Sequence, residues 1–121
     1  MKNIKVKLSV SDYKYLCLLA KQCIDAVKEY DTPIAYCTNE LMSEEYQKLI
    51  KKLPKLKKGK SITACVSFSL YSLLFSFTKA GMEQHKFDAG NLVLINDLFR
   101  LLDEGIKAIQ MEENMITDIV L

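Results

Sequence analysis

Lysine is the side chain this sequence offers most densely for chemistry. Lys48, Lys51, Lys52, Lys55, Lys57, Lys58 and Lys60 crowd one short stretch. Clustered positive charge attracts a phosphate backbone without any sequence code. The candidate polyanion contacts are therefore Lys51, Lys52, Lys55, Lys57, Lys58 and Lys60. Aromatic residues do not interleave with this cluster, so stacking on single-stranded bases is not expected. Arg100 is the single arginine. The planar fork that serves bidentate recognition of phosphate and guanine is therefore scarce, which argues against base-specific reading.

The other reactive residue types do not assemble. Cys17, Cys23, Cys37 and Cys65 lack C-x-x-C spacing, and His85, the one histidine, lies far along the chain from each. No local zinc set follows from that spacing. Gly59-Lys60-Ser61 ends like a phosphate-binding loop, but Pro54 stands where that motif requires glycine. The carboxylate pairs Glu44-Glu45, Asp103-Glu104 and Glu112-Glu113 are neighbours on expected helices and so point in different directions. His85 falls in an expected loop beside surface charges. The chain is expected not to be an enzyme, with no catalytic residue, no metal ligand and no cofactor assigned.

The elements that position the lysines come from length and periodicity. The chain has 121 residues and a formal charge of +2; half of it is hydrophobic and 26% is charged. This is the balance of one folded domain. Ile4, Val6, Leu8 and Val10 alternate with Lys5, Lys7 and Ser9, predicting a half-exposed strand. Ser11-Asp12 offers an N-cap for a long helix whose apolar stripe runs from Tyr13 to Tyr30. Residues 33–42 fit a short helix, and a separate one capped by Ser43 runs to Pro54.

Residues 61–78 carry no charge and follow a cationic flank, as a membrane span would. Their many serines favour a core helix instead, with residues 62–66 either helical or a short strand. Gly81 is expected to stop that helix, and Asp88 or Asn91 to cap a last one through Leu92, Leu98 and Ile109, with Gly105 a weak point in it. Met115 to Leu121 is expected to dock. The fold class is mostly α: a single-domain bundle of four to five helices with a short N-terminal strand, paired with residues 62–66 or with the C-terminal tail. Two α-hairpin halves, about 1–54 and 61–110, are joined by the Lys-rich connector 55–60.

Lys5-Val6-Lys7-Leu8-Ser9-Val10-Ser11 resembles the lead-in of ribbon–helix–helix repressors, which pair one short strand from each of two chains. The helix after Asp12 reads longer than the short helices of that family, and no DNA-reading residue is carried over. An internal duplication is also suggested: Val10-Ser11, Tyr15 and Leu18 match Val66-Ser67, Tyr71 and Leu74 at one constant offset.

Ser69, Ser72 and Ser76 share one helical face, and small residues there suit close packing of another helix. Tyr71, Phe75 and Phe99 are a candidate lining for a small-molecule site in the bundle core. The N-terminus lacks the continuous apolar run of a signal peptide, so reduced, buried cysteines in a cytoplasmic protein are expected. The expected function is a small interaction or regulatory protein that self-associates or binds a protein partner through apolar helix faces. The alternative is a non-specific nucleic-acid-binding module using the Lys48–Lys60 cluster.

Overall fold

A computed structural model describes the backbone of residues 3–120 and the side chains of residues 3–113. The domain is mostly α-helical, with a two-stranded sheet beside the helices. In chain order, β1 is Asn3–Leu8, α1 is Val10–Val27, α2 is Pro33–Ile50, β2 is Ile62–Ser67, α3 is Phe68–Glu83 and α4 is Ala89–Val120. A single 3-10 turn, Leu53–Lys55, interrupts the connector between α2 and β2.

β1 and β2 form an antiparallel ribbon, with Ile4 opposite Val66, Val6 opposite Ala64 and Leu8 opposite Ile62. Period-2 alternation sends Ile4, Val6, Leu8, Ala64 and Val66 inward, where they are buried. Burying each Val, Leu or Ile side chain contributes about 1.5–3 kcal/mol. A slip of one residue would turn this set to solvent, which fixes the register. Of the two partners expected for the first strand, residues 62–67 are the one used. The tail instead continues α4 to Val120, and the docking expected of the 115–121 side chains lies outside the described residues.

Each strand leads directly into a helix. The Ser9 hydroxyl accepts the Asp12 N–H at 3.1 Å, and the Ser67 hydroxyl accepts the Leu70 N–H at 3.1 Å. The first cap is thus Ser9, not Ser11-Asp12: β1 ends at Leu8, so the first free serine after it takes the role. At this equivalence Ser11 matches Ser69, Tyr13 matches Tyr71 and Leu16 matches Leu74. It also matches Val6 with Ala64, which face each other across the ribbon. The antiparallel ribbon therefore has a local twofold between those two residues. The two capping serines, Ser9 and Ser67, thus align the strand–helix units two residues away from the pairing of Val10-Ser11 with Val66-Ser67.

Other boundaries shift for identifiable reasons. α1 stops at Val27, short of Tyr30. Thr32 caps α2 by accepting the Ala35 N–H at 3.1 Å, with Pro33 in the first turn, and the helix then runs unbroken to Ile50. Ser43 is therefore inside α2, where its hydroxyl donates to Asn39 Oδ1 at 3.2 Å rather than capping a second helix. α3 passes through Gly81 because the Phe87 ring lies against it, where a Cβ would stand 2.4 Å from Cε2. The helix ends at Glu83, and His85 just beyond its C-cap Gln84 has φ 55°. Lys86 N–H reaches Gly81 O at 2.9 Å and His85 N–H reaches Met82 O at 3.1 Å, closing a Schellman turn. Asp88 caps α4, its carboxylate accepting the Asn91 N–H at 2.8 Å.

α1 lies at the centre, packed by all three other helices and by the ribbon. α2 packs along α1, and α4 crosses β1. Gly105 marks that crossing: an added Cβ would stand 2.7 Å from Ile4 Cγ2 and 2.8 Å from Val6 Cγ1. It is the point of close approach, not a weak point. Among the described residues no helix is long and apolar enough to cross a membrane; the uncharged stretch 61–78 is divided between β2 and α3.

Candidate polyanion surface

The outward face of the ribbon is built by the same alternation that fills the core. Asn3, Lys5, Lys7 and Thr63 are exposed, with Cys65 half-buried among them. Lys5 stands opposite Cys65, and Lys7 opposite Thr63. The ribbon thus presents two ammonium groups on one flat face.

The connector lysines are brought to the same part of the molecule by two anchors. The Tyr13 hydroxyl donates to the Leu49 carbonyl at 2.6 Å in a buried contact, fixing the end of α2 against α1. Beyond it, Lys52 Nζ donates to the Thr63 carbonyl at 2.9 Å, reaching onto β2 directly opposite Lys7. A cleft of about 310 Å³ runs beside this contact, lined by Asn3, Lys48, Lys52 and Cys65 among others.

The rest of the connector is held in place rather than loose. Leu53 and Leu56 pack on the core, and Lys60 N–H bonds Lys57 O at 3.0 Å. Gly59 has φ 79° in that turn, the conformation a type II turn requires at its third position. Lys58 and Lys60 then line a second cleft of about 720 Å³ with Lys14, Ser9 and Ser11 at the start of α1. Lys51, Lys55, Lys57, Lys58 and Lys60 are exposed, whereas Lys52 is half-buried by its bond to Thr63.

Charge is segregated along the chain in a way that supports this surface. From Tyr46 to Met82 there is no aspartate or glutamate. Asp12, near the second cleft, is buried, and Glu45 is the acid that lines the first. The one arginine is elsewhere and already engaged: Arg100 meets Asp97 at 2.8 Å and Glu104 at 3.2 Å along α4. Charge density alone does not single out Lys5, Lys7 and Lys14. The signal for the first two is the alternation of lysine with buried residues in β1, which becomes a shared surface once β2 pairs with it.

The remaining sequence candidates lie at the surface or apart from one another. Ser69, Ser72 and Ser76 are exposed on α3, and among the described residues no helix of the chain closes over them. Tyr71, Phe75 and Phe99 do meet, with ring centroids 5.8–6.2 Å apart. They sit at the surface rather than in an enclosed core, since Phe75 is 50% exposed. Cys17 and Cys23 are buried as expected, but Cys65 is half-buried and Cys37 exposed. Burial pushes the Cys17 and Cys23 thiols up to about 11, so neither is a thiolate at neutral pH. Among the described residues no group of histidine, cysteine or carboxylate side chains is placed to hold a metal ion.

No known protein family, curated protein or solved structure matches this chain.

Proposed function

We propose that this protein binds the phosphate backbone of a nucleic-acid duplex through the lysine-bearing end of its ribbon. The observation that carries the reading is the Lys52–Thr63 bond, which joins the connector cluster to the ribbon face bearing Lys5 and Lys7. Charge on a rigid strand pair and an anchored turn loses little side-chain and backbone freedom on contact, so more of the counter-ion release appears as affinity. Scarcity of arginine and of base-stacking aromatics at this end fits backbone contact rather than base reading. The ribbon–helix–helix repressors that residues 5–11 resemble pair strands from two chains, and no known family matches this chain. Here both strands come from one chain and α1 is long, so no base-reading role is taken from that family.

The test is fluorescence anisotropy with random-sequence duplex DNA, beginning at low salt. Binding that weakens steeply as salt rises is the expected result. Absence of binding at low salt overturns the proposal, as does equal binding in high salt.

A further inference from the structure

A cleft of about 450 Å³ opens between α1, the last turns of α3 and the start of α4. That volume is in the range of small-molecule sites. Tyr15 lines it from α1, Phe77 from α3 and Phe87 from the turn before α4. The Phe87 ring is seated against Gly81, where no Cβ stands in its way. Lys86 N–H on Gly81 O at 2.9 Å closes the turn that carries this ring, so the wall is fixed before any ligand arrives.

Unmet hydrogen-bonding capacity converges on this cleft. Tyr15 is only 7% exposed, yet its hydroxyl has no hydrogen-bond partner among the described residues. It is not sealed in: among the described residues Thr78 Oγ1 is the fully enclosed side-chain oxygen without a partner. Burial, joined by the nearby Asp88 carboxylate, raises the Tyr15 hydroxyl above its ordinary value, so it stays a donor at neutral pH. The side-chain amides of Gln22, Gln84 and Asn91 border the same cleft, also without partners among the described residues. Each amide offers a donor and an acceptor side by side. The charged residues of the lining are Glu29 and Lys86, one of each sign, while Asp88 is engaged in capping α4.

We propose that this cleft binds an uncharged, planar nitrogen heterocycle of the adenine type. The aromatic walls take a flat ring by its faces. A Gln or Asn amide matches the edge of adenine, accepting from N6 and donating to N7. The Tyr15 hydroxyl supplies a further donor for a ring nitrogen. Opposite charges in the lining favour neither an anion nor a cation, so the ring and its edge decide what binds. None of the lysines of the polyanion surface lines this cleft, and the two sites stand or fall separately.

Amide chemical shifts followed by NMR while adenine is titrated test this. One saturable site is expected, with the shifts concentrated around Tyr15, Gly81 and Phe87. Tyr15→Phe and Gln84→Ala should each weaken binding about two- to tenfold, the loss of one hydrogen bond. Gln84 is at an exposed position, so its variant carries the test if Tyr15→Phe loses its cooperative melt. Phe75→Ser, outside the cleft, should bind adenine as the wild type does. No saturable shift up to the solubility of adenine overturns the proposal. So does wild-type affinity in both Tyr15→Phe and Gln84→Ala, which would place the ligand elsewhere. Tighter binding of phenyltrimethylammonium than of adenine also overturns it, because the aromatic lining would then be a cage for cations.

Discussion

Tyr13 and Tyr71 stand at the same spacing after the serines that cap α1 and α3, and each donates its hydroxyl to a neighbouring helix at 2.6 Å. Tyr13 reaches the buried Leu49 carbonyl, and Tyr71 reaches the exposed Asp103 carboxylate. Burial, joined at Tyr71 by Asp103, pushes both hydroxyls up to about 12, so both remain donors at neutral pH. The two environments differ, and the energetic consequences should differ with them. Tyr13→Phe is expected to cost about 1–1.5 kcal/mol, because a buried hydrogen bond is lost while the Leu49 carbonyl keeps the Lys52 N–H at 3.2 Å. Tyr71→Phe is expected to cost under about 1 kcal/mol, since water takes the place of the hydroxyl. Urea unfolding of the two variants measures both; equal destabilisation would contradict the assignment.

Gly105→Ala sets helix propensity against packing. Alanine favours a helix interior by about 1 kcal/mol. The added methyl must displace Ile4 and Val6, whose branched carbons sit under 3 Å from its place and cannot swing clear at low cost. Overpacking of about 1–3 kcal/mol is expected to win. A lower thermal midpoint supports the crossing of α4 over β1, and a raised midpoint would contradict it.

At the end of α3, His85 holds a left-handed conformation that glycine adopts without a Cβ clash. His85→Gly is expected to stabilise the fold by about 1 kcal/mol. Denaturant unfolding should show a higher midpoint with an unchanged slope. A lower midpoint would mean that the imidazole makes a stabilising contact that outweighs the strain.

A pH-dependent effect is expected from Asp12, at the buried start of α1. Desolvation and a hydrogen bond shared with Asp97 raise its carboxyl above the ordinary value, while Arg100 holds Asp97 below it. A folded-state value above the unfolded one favours folding at low pH, and this contribution fades as pH rises through the folded value. Asp12→Asn removes the buried charge, so the variant should be more stable than wild type at neutral pH. The difference should close below the ordinary aspartate value of 3.8. A variant less stable at pH 7 would show that attraction between Asp12 and the α1 N-terminus outweighs desolvation.

Much of this architecture is legible from period alone. The alternation of Ile4, Val6 and Leu8 with lysines marks β1, and helical spacing marks α1 and the core of α4. What stays hidden depends on contacts between distant residues. Residues 62–66 alternate only weakly, with Cys65 between Ala64 and Val66, so strand and helix are both compatible until β1 supplies a partner. Gly105 looks like a helix flaw because propensity is local, whereas its neighbours Ile4 and Val6 lie at the other end of the chain. Ser9 and Ser11 are both competent caps, and the point where β1 pairing ends decides between them. For the candidate site, Lys51–Lys60 stands out by density. Lys5 and Lys7 join it through strand pairing and the Lys52–Thr63 bond, neither of which leaves a trace in local composition.

The most direct test of the polyanion reading compares salt dependences of duplex DNA binding for wild type, Lys5→Gln/Lys7→Gln and Lys79→Gln. Removing both ribbon lysines should flatten the slope of log K against log salt by roughly 0.9 for each phosphate no longer neutralised. Lys79→Gln, on the helix away from the ribbon, should leave it unchanged. Equal slopes for all three proteins, or a change with Lys79→Gln alone, would contradict the account.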